Sequence, residues 1–264
     1  IEISKIYSVS HLLTAKEPLI RIRPFRAPHH TVSVQALTGG GRRPKPGEIS
    51  LATGGILFLD ELPEFSRAAL ETLRQPLEDR EVTVSRVEAT VTYPANFQLV
   101  AAMNPCPCGH FPDLARCRCT EGQITRYLQK ISGPLLDRID LCVEASPVTY
   151  GDVRGGGENE ASGAIRARVE QAREIQKERF MEENIRCNGE MAGRHIRKYC
   201  VLGKEEETFM EEIFEKLALS ARMHDRILKV ARTTADLAGE SKIRLSDLCE
   251  AVSYVKSREK FWGN

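Results

Sequence analysis

The chain of 264 residues lacks any apolar run that approaches the length of a membrane span, which takes about 20 residues. No signal peptide opens the sequence, which begins with Ile1 rather than Met. Charge of one sign is not in excess either, since the formal net charge is +1. A surface that binds nucleic acid must therefore be local. Internal repeats, low-complexity tracts and coiled-coil heptads are also absent.

The composition is that of a globular protein of one large or two ordinary domains, with 41% hydrophobic and 28% charged residues. Of the eight cysteines, four are scattered singly, which is typical of reduced thiols that pack as small hydrophobic groups. The other four lie in one short stretch. This cysteine usage predicts a cytoplasmic protein with a candidate metal site.

The segment GGILFLDELPEF combines a short apolar run with two acids. The run Ile56–Leu59 follows two glycines and precedes Pro63, which predicts a strand buried on both faces of a parallel sheet. Ligands bind beyond the carboxyl ends of such strands. We therefore expect Asp60 to hold Mg²⁺ and Glu61 to polarise an attacking water. If this apolar run with its two acids stood alone, the alternative would be a strand that ends in a solvated acidic turn.

A second buried strand is predicted over Phe97–Met103, and it ends at Asn104. At this edge an Asn can hydrogen-bond a γ-phosphate or the attacking water. Alternatively, it opens a turn with Pro105. Between the two strands, Glu81–Tyr93 alternates in strand fashion, which predicts a β-hairpin with its tip near Arg86.

A phosphate-binding loop of the form Gly-x₄-Gly-Lys-[Ser/Thr] is missing. Gly203-Lys204 is followed by Glu205 and lacks the upstream glycine. The chain therefore contains the water-activating half of an ATP site without the phosphate cradle. Either the cradle lies upstream in a longer protein, or the site has decayed. In both cases we expect this chain alone to be inactive as an ATPase.

The segment CPCGHFPDLARCRCT carries two close pairs of cysteines, which can supply four thiolates to a tetrahedral Zn²⁺. The pairs are Cys-x-Cys rather than the commoner Cys-x₂-Cys, and a reduced, metal-free knuckle is the alternative. We favour Zn²⁺ because four loop thiols without a metal would be prone to oxidation. The predicted ligands are Cys106, Cys108, Cys117 and Cys119.

The segment Pro18–Gly47 is rich in Arg, Gly and Pro and contains no acidic residue. Such a loop can approach and neutralise a phosphate backbone, although a solvated surface loop has the same composition. The predicted nucleic-acid contacts are Arg42, Arg43, Lys45 and, at the hairpin tip, Arg86. His29 and His30 are adjacent on an extended segment, so we expect them to point in opposite directions and not to chelate a metal.

Arg138 lies between Asp137 and Asp140 in the segment SGPLLDRIDLCVEA. It is either a surface salt-bridge residue or an arginine finger that stabilises a transferring phosphate across a subunit boundary. The alternation of Ile139, Leu141 and Val143 predicts a third strand.

A Gly-rich linker over Tyr150–Ser162 divides an α/β part, residues 1–150, from a helical part, residues 160–264. In the second part Arg232 occupies an otherwise apolar helix. It is either part of a buried ion pair, for which Asp236 one turn later is the candidate partner, or a second phosphate sensor. The predicted helices are Gly163–Asn184, Arg194–Cys200, Glu205–Ser220, Met223–Ala238 and Leu245–Lys256.

Taken together and in order, these segments resemble the ComM/YifB group of magnesium-chelatase-like AAA+ ATPases. The resemblance runs nearly end to end, through RPFRAPHHT, GEISLATGGILFLDELPEF, AAMNPCPCG, CRCT, SGPLLDRIDL and VARTTADLAG. It implies a partial AAA+ fold of the P-loop type: a parallel sheet with a β-hairpin insertion, followed by an all-α lid domain.

The resemblance also implies roles for individual residues. Asp60 and Glu61 match the Walker B pair, Asn104 matches sensor 1, Arg138 the arginine finger and Arg232 the sensor-2 arginine. The hairpin with Arg86 at its tip matches one that projects into the ring channel toward DNA in this clade.

The function implied by the resemblance is that of a hexameric, ATP- and Mg²⁺-dependent DNA motor. Such a motor would act as a helicase or in branch migration during DNA uptake or recombination. One alternative is an ATPase subunit of a magnesium chelatase that serves porphyrin metallation. The other is a non-hydrolysing interaction module stabilised by zinc.

Overall fold

The computed structural model describes residues 2–14, 16, 18–41, 44–85, 89–146, 148, 150–154 and 160–262. The chain divides into two compact units, Ile1–Ile139 and Asp140–Asn264. The first unit mixes helices with strands, and the second is helical throughout its described regular structure. The predicted α/β class with a following helical region is confirmed.

The first unit begins with a helix and then alternates short helices and strands. Its helices are α1 (Glu2–Val9), α2 (Val34–Thr38), α3 (Glu48–Leu51), α4 (Arg67–Glu71), α5 (Arg74–Asp79), α6 (Glu121–Leu128) and α7 (Gly133–Leu136). Its strands are β1 (Phe25–Arg26), β2 (Gly39–Gly40), β3 (Lys45–Pro46), β4 (Ile56–Leu59), β5 (Glu81–Ser85), β6 (Thr90–Pro94) and β7 (Gln98–Ala101).

Strands β1, β4 and β7 form a parallel sheet in the order β1-β4-β7. Ile56 lies opposite Gln98 and Leu59 opposite Ala101, so β4 and β7 end at the same level. On the other side of β4, Phe25 lies opposite Ile56. The predicted parallel sheet is therefore present, and the segments that follow β4 and β7 leave it at one edge.

The two glycines before β4 allow β1 to approach. A Cβ at Gly55 would lie 1.9 Å from the carbonyl oxygen of Pro24, so no larger residue fits there. Gly54 adopts a positive φ of 74°, which costs glycine no steric penalty. The N–H of Ile56 then donates to the Pro24 carbonyl over 2.8 Å, and the parallel pairing of β1 with β4 follows from this contact.

The prediction that β4 is buried on both faces is only half right. Leu57 and Leu59 are fully buried, whereas Ile56 and Phe58 are half-buried. Phe58 stacks against Phe25, whose own side chain is exposed. Full burial is therefore confined to one face of β4. Other fully buried hydrophobic side chains of the unit are Leu37, Ile49, Leu70, Leu73 and Leu135.

The predicted hairpin is present as the antiparallel pair β5–β6, in which Glu81 lies opposite Pro94 and Ser85 opposite Thr90. Alternate side chains of β5 are buried, as the sequence pattern predicts. On the exposed face the hydroxyls of Thr83 and Thr92 are hydrogen-bonded over 3.0 Å. The predicted tip at Arg86 lies outside the described residues.

The predicted third strand over Ile139, Leu141 and Val143 is wrong. The structure has helix α7 just before this segment, with Ser132 as its N-cap, and no regular structure at residues 140–146. Val143 is 73% exposed. Alternating apolar residues form a strand only where a neighbouring strand accepts their backbone hydrogen bonds, and no described strand pairs with this segment.

The second unit is built from helices α8 (Tyr150–Arg154), α9 (Ser162–Arg179), α10 (Gly193–Tyr199), α11 (Lys204–Lys216), α12 (Ala221–Leu237) and α13 (Leu245–Trp262). Its core packs α12 against α13, α10 and α9. The fully or nearly fully buried side chains include Phe180, Met191, Met210, Ile227, Leu228, Leu248 and Val252.

None of the helices in the described part of the chain combines the length and the apolar character that a membrane span requires.

Candidate functional site

The acids after β4 and the segment after β7 meet at one edge of the sheet. The N–H of Ala102 donates to the carbonyl of Leu59 over 2.9 Å, and the N–H of Leu62 donates to the carbonyl of Ala102 over 3.0 Å. The pairing of the two strands therefore continues beyond their ends. Asp60 and Glu61 lie inside this extension, and Asn104 follows Ala102 by two residues on the neighbouring segment.

Glu61 has an unusual backbone. Its φ of 52° and ψ of 46° lie in the left-handed region, which non-glycine residues rarely adopt. Its N–H donates to Oδ1 of Asp60 over 2.9 Å. Such conformations persist where the surrounding structure enforces them, and they concentrate at functional sites. The sharp turn leaves both carboxylates exposed at the edge of the sheet.

His30 contacts the acidic pair, and the sequence did not predict this contact. Its Nδ1 lies 3.0 Å from Oε2 of Glu61. The prediction that His29 and His30 point in opposite directions is wrong, because their ring centroids are 4.0 Å apart. The segment between β1 and α2 is a turn rather than an extended strand. Local sequence carried no signal for this contact, because β1, the strand that leads to His30, has only two residues.

Asn104 is exposed at the same edge and lies against the cysteine-rich loop. A Cβ added at Gly109, which has a φ of +79°, would lie 3.8 Å from Cγ of Asn104. The N–H of Gly109 in turn donates to the carbonyl of Cys106 over 3.0 Å. The turn that carries the first cysteine pair therefore also supports the predicted sensor residue.

The cysteine-rich loop brings its four sulfurs together, all within 4.8 Å of one another. The Sγ–Sγ distances are 3.4 Å for Cys106–Cys108, 3.8 Å for Cys106–Cys117 and 3.6 Å for Cys108–Cys117. A tetrahedron with Zn–S bonds of about 2.3 Å has S–S edges of about 3.8 Å. The donor set and its spacing therefore fit a tetrahedral Zn²⁺.

The thiols of this cluster differ in acidity. Backbone N–H groups of His110 and Arg118 lower the pKa of Cys108 to about 6. A backbone N–H of Cys119 lowers the pKa of Cys117, but desolvation and the neighbouring thiols outweigh it and raise that pKa to about 12. Because one thiolate disfavours the next, ionisation of all four requires a cation among them.

Tyr127 of α6 is influenced by charges of both the cysteine cluster and the acidic edge. Burial raises its pKa, and the charges of Glu64, Cys106 and Glu61 raise it further. The N-terminus of α6 carries a capping box formed by Thr120 and Gln123, which starts the helix directly after the last cysteine. The sequence indicated the helix but not this proximity.

Arg138 is paired within its own unit. Its Nη2 donates to the carboxylate of Glu78, and its Nη1 donates to the carbonyl of Pro134 over 2.7 Å. Its Nε is buried without a hydrogen-bond partner. The partner is thus Glu78 of α5 rather than the sequence neighbours Asp137 and Asp140, which the sequence suggested for a salt bridge.

Arg232 lies in the core of the second unit with a side chain that is 2% exposed. It donates from Nε to Asp236 over 3.0 Å and from Nη1 to the carbonyl of Ser241 over 2.9 Å. Asp236 also accepts from Arg179 and from Nδ2 of Asn188, the latter over 2.7 Å. Arg232 is thus in a buried ion pair with Asp236, the partner that the sequence suggested.

Of the predicted nucleic-acid contacts, Arg42, Arg43 and Arg86 lie outside the described residues. Lys45 of β3 is exposed. Two other arginines of the basic segment form hydrogen bonds within the first unit. Arg26 forms two hydrogen bonds with Glu48, of 2.6 and 2.7 Å, and Arg23 donates to the carbonyl of Gly54 over 3.2 Å.

Two family models match the chain. Residues 1–153 match the magnesium chelatase subunit ChlI model, and residues 159–255 match the model of its C-terminal part. The chain belongs to the magnesium chelatase ChlI family. The two matches cover the sheet-containing region and the helical region in turn, so the family extends over both units.

Individual relatives in this family resemble the chain closely. Competence protein ComM of Haemophilus influenzae is 50% identical over 233 residues, which are 88% of this chain and 45% of ComM. YifB of Salmonella typhimurium is 48% identical over the same shares. Rv2897c of Mycobacterium tuberculosis is 41% identical over 96% of this chain and 50% of its own length. The chain thus spans about half the length of these relatives.

Proposed function

We propose that this chain supplies the water-activating part of an Mg²⁺-dependent ATPase. The observation that carries the proposal is the meeting of Asp60, Glu61 and Asn104 at one edge of a parallel sheet. Ligands bind at this edge in open α/β folds. The left-handed backbone of Glu61 supports a functional role, since it holds a strained residue at that edge.

The three residues divide the chemistry between them. Asp60 offers carboxylate oxygen, the ligand type that Mg²⁺ prefers, and its exposed position after β4 fits that role. When bound, Mg²⁺ supplies charge neutralisation for the phosphates. Glu61 orients the attacking water and accepts its proton. Asn104 donates from its amide to hold that water or the γ-phosphate in line.

Arg138 acts in the site of a neighbouring subunit in this proposal, as an arginine finger in a hexameric ring. A finger stabilises the charge that develops on the transferring phosphoryl group. Its contact with Glu78 holds the guanidinium near the surface with 16% side-chain exposure. The family match supports a nucleotide-driven assembly.

DNA is the proposed substrate of the motor, as a helicase or branch-migration enzyme of the cytoplasm. Two observations support this choice. A relative that is 50% identical is named for competence. The hairpin β5–β6 also presents a polar, hydroxyl-rich face, with Thr83 and Thr92 exposed. Arg42, Arg43, Lys45 and Arg86 are proposed to contact the phosphate backbone.

Zn²⁺ is the proposed occupant of the site formed by the four cysteines. The sulfur spacing supports it, as does the buried Sγ of Cys106, which also accepts the N–H of Phe111 over 3.4 Å. The ion would stabilise the loop without taking part in hydrolysis. A site with four protein ligands leaves no open position for a substrate.

ATPase activity with and without single-stranded and branched DNA tests the proposal. The assay compares this chain with the complete gene product, using Glu61→Gln as the control that keeps the shape of the side chain. DNA-stimulated turnover in the complete product, lost in the control, is the expected result. Turnover that survives Glu61→Gln would contradict the assignment of Glu61.

The family description favours a second candidate, an ATPase subunit that serves magnesium insertion into a porphyrin. Stimulation of ATP hydrolysis by a porphyrin instead of DNA would favour this second candidate. A third outcome is no turnover in either form while the protein still assembles or binds a partner. That result would identify a zinc-stabilised interaction module.

A further inference from the structure

We propose that His30 is a positioning residue for Glu61, an inference that rests on the proposed function. The imidazole and the carboxylate face each other, with Nδ1 of His30 3.0 Å from Oε2 of Glu61. Among the described residues, His30 is the side chain that the structure pairs with this carboxylate. The two groups come from adjacent parallel strands, because His30 follows β1 and Glu61 follows β4.

The imidazole is itself held in place on two sides. The ring of Phe65 meets it edge-on, with centroids 6.4 Å apart and planes at 76°. His29 lies against it at 4.0 Å. Phe65 is 3% exposed, so it anchors the ring to the core. His30 is 28% exposed, whereas Glu61 is 59% exposed. The better-fixed partner is therefore the histidine.

The contact has a chemical consequence for the carboxylate. With a proton on Nδ1, His30 donates to Oε2 and leaves Oε1 to accept from the attacking water. An exposed Glu without this donor would rotate among several rotamers and would compete with Asp60 for the cation. His30 therefore acts through Glu61 on the orientation of the water. It should change kcat and leave nucleotide binding nearly intact.

Steady-state ATPase kinetics of the complete gene product test this role in the variants His30→Ala, His30→Gln and His11→Ala. We expect His30→Ala to lower kcat by about 10- to 100-fold, as loss of an orienting partner does, with KM for ATP changed by less than about 3-fold. His30→Gln restores a hydrogen-bond donor and should recover part of kcat. His11→Ala removes an exposed imidazole elsewhere in the same unit and should cost less than about 3-fold.

A double variant links the effect to Glu61. In the Glu61→Gln background, His30→Ala should cause no further loss, because the residue it positions is already disabled. Circular dichroism and thermal melting establish that each variant folds. If His30→Ala has normal kcat while Glu61→Gln is inactive, the positioning role is wrong and the ATPase proposal stands. If the parent protein has no turnover that depends on Glu61, the positioning role and the ATPase proposal are both wrong. A loss in His30→Ala that adds fully to that of Glu61→Gln also overturns the positioning role.

Discussion

Leu62 and Ala102 are joined by a backbone hydrogen bond of 3.0 Å between the N–H of the first and the carbonyl of the second. The bond lies beyond the ends of β4 and β7, where no regular strand continues. It ties the turn that carries Glu61 to the segment that leads into Asn104. This bond thereby holds the polar groups of two separate parts of the sequence close together at the edge of the sheet.

The effects of substitutions at Glu61 and Asn104 on turnover should not be additive. We expect Asn104→Ala and Glu61→Gln each to lower the kcat of the complete gene product by about 10²-fold or more, because both act on the same water. The double variant should be no slower than the slower single variant, and binding of a fluorescent ATP analogue should persist in all three. Effects that multiply fully would show that the two residues act in separate steps.

Arg138→Ala should reduce ATP turnover by about 10³-fold or more while nucleotide affinity stays near that of the parent protein, as for loss of an arginine finger. Glu78→Gln is the matched control, since it removes the charge of the carboxylate that Arg138 contacts but keeps a side-chain oxygen that can accept from the guanidinium. We expect this control to retain turnover.

Mixing two inactive variants shows whether Arg138 acts across a subunit boundary. Mixed rings of Arg138→Ala and Glu61→Gln subunits contain interfaces in which both residues are intact, so part of the activity should return. Mixtures that stay inactive despite proven co-assembly would place Arg138 in the site of its own subunit or outside the mechanism.

The purified protein should contain about one Zn²⁺ per chain by elemental analysis, bound by four thiolates. Cys106→Ser should remove the metal, because Cys106 is the buried member of the cluster. Cys249→Ser, which changes an exposed cysteine outside the cluster, should retain it. A stable parent protein that has no metal and four reactive thiols would exclude the zinc site.

Arg232→Ala should destabilise the helical unit by about 3–5 kcal/mol in urea unfolding, since it breaks a buried ion pair and leaves charge unpaired. Asp236→Asn should have a comparable effect, because Asp236 accepts from Arg179 as well as Arg232. Arg244→Ala changes a half-exposed arginine of the same unit and should cost less. Normal stability with lost ATP affinity in Arg232→Ala would instead indicate a phosphate sensor.

Asp247 makes the stability of the helical unit change with pH in the acidic range. Burial raises its pKa, but hydrogen bonds from the backbone and guanidinium of Arg244 outweigh burial and leave the pKa below its ordinary value. This stabilisation is complete above the unfolded-state pKa of about 4 and is lost as the pH falls through the lower folded-state value.

Asp247→Asn should therefore reduce stability at neutral pH and flatten the loss of stability as the pH falls below about 4. Thermal melting across this range measures both effects. Glu250→Gln changes an exposed acid on the same helix and should leave the acid profile unchanged. An Asp247→Asn profile parallel to that of the parent protein would contradict the assigned cause.

Local patterns predicted much of the fold. The apolar run with its glycines predicted β4, and the alternation at residues 81–93 predicted the hairpin. The five predicted helices of the second unit start close to their predicted positions, but α9 and α11 end earlier than predicted and α13 ends later. These succeeded because burial of a repeated face acts over a few neighbouring residues. The pattern at residues 139–143 failed, since a strand also needs a partner that local sequence does not reveal.

The sequence by itself determined which chemical groups are present: a pair of acids after a buried strand, an Asn after another, and four clustered cysteines. Only the tertiary structure decided which groups meet. It brought His30 to Glu61, Glu78 to Arg138 and Arg179 to Asp236, pairs that lie 31, 60 and 57 positions apart. Contacts over such separations depend on how strands and helices pack, and packing is set by the whole core rather than by any local motif.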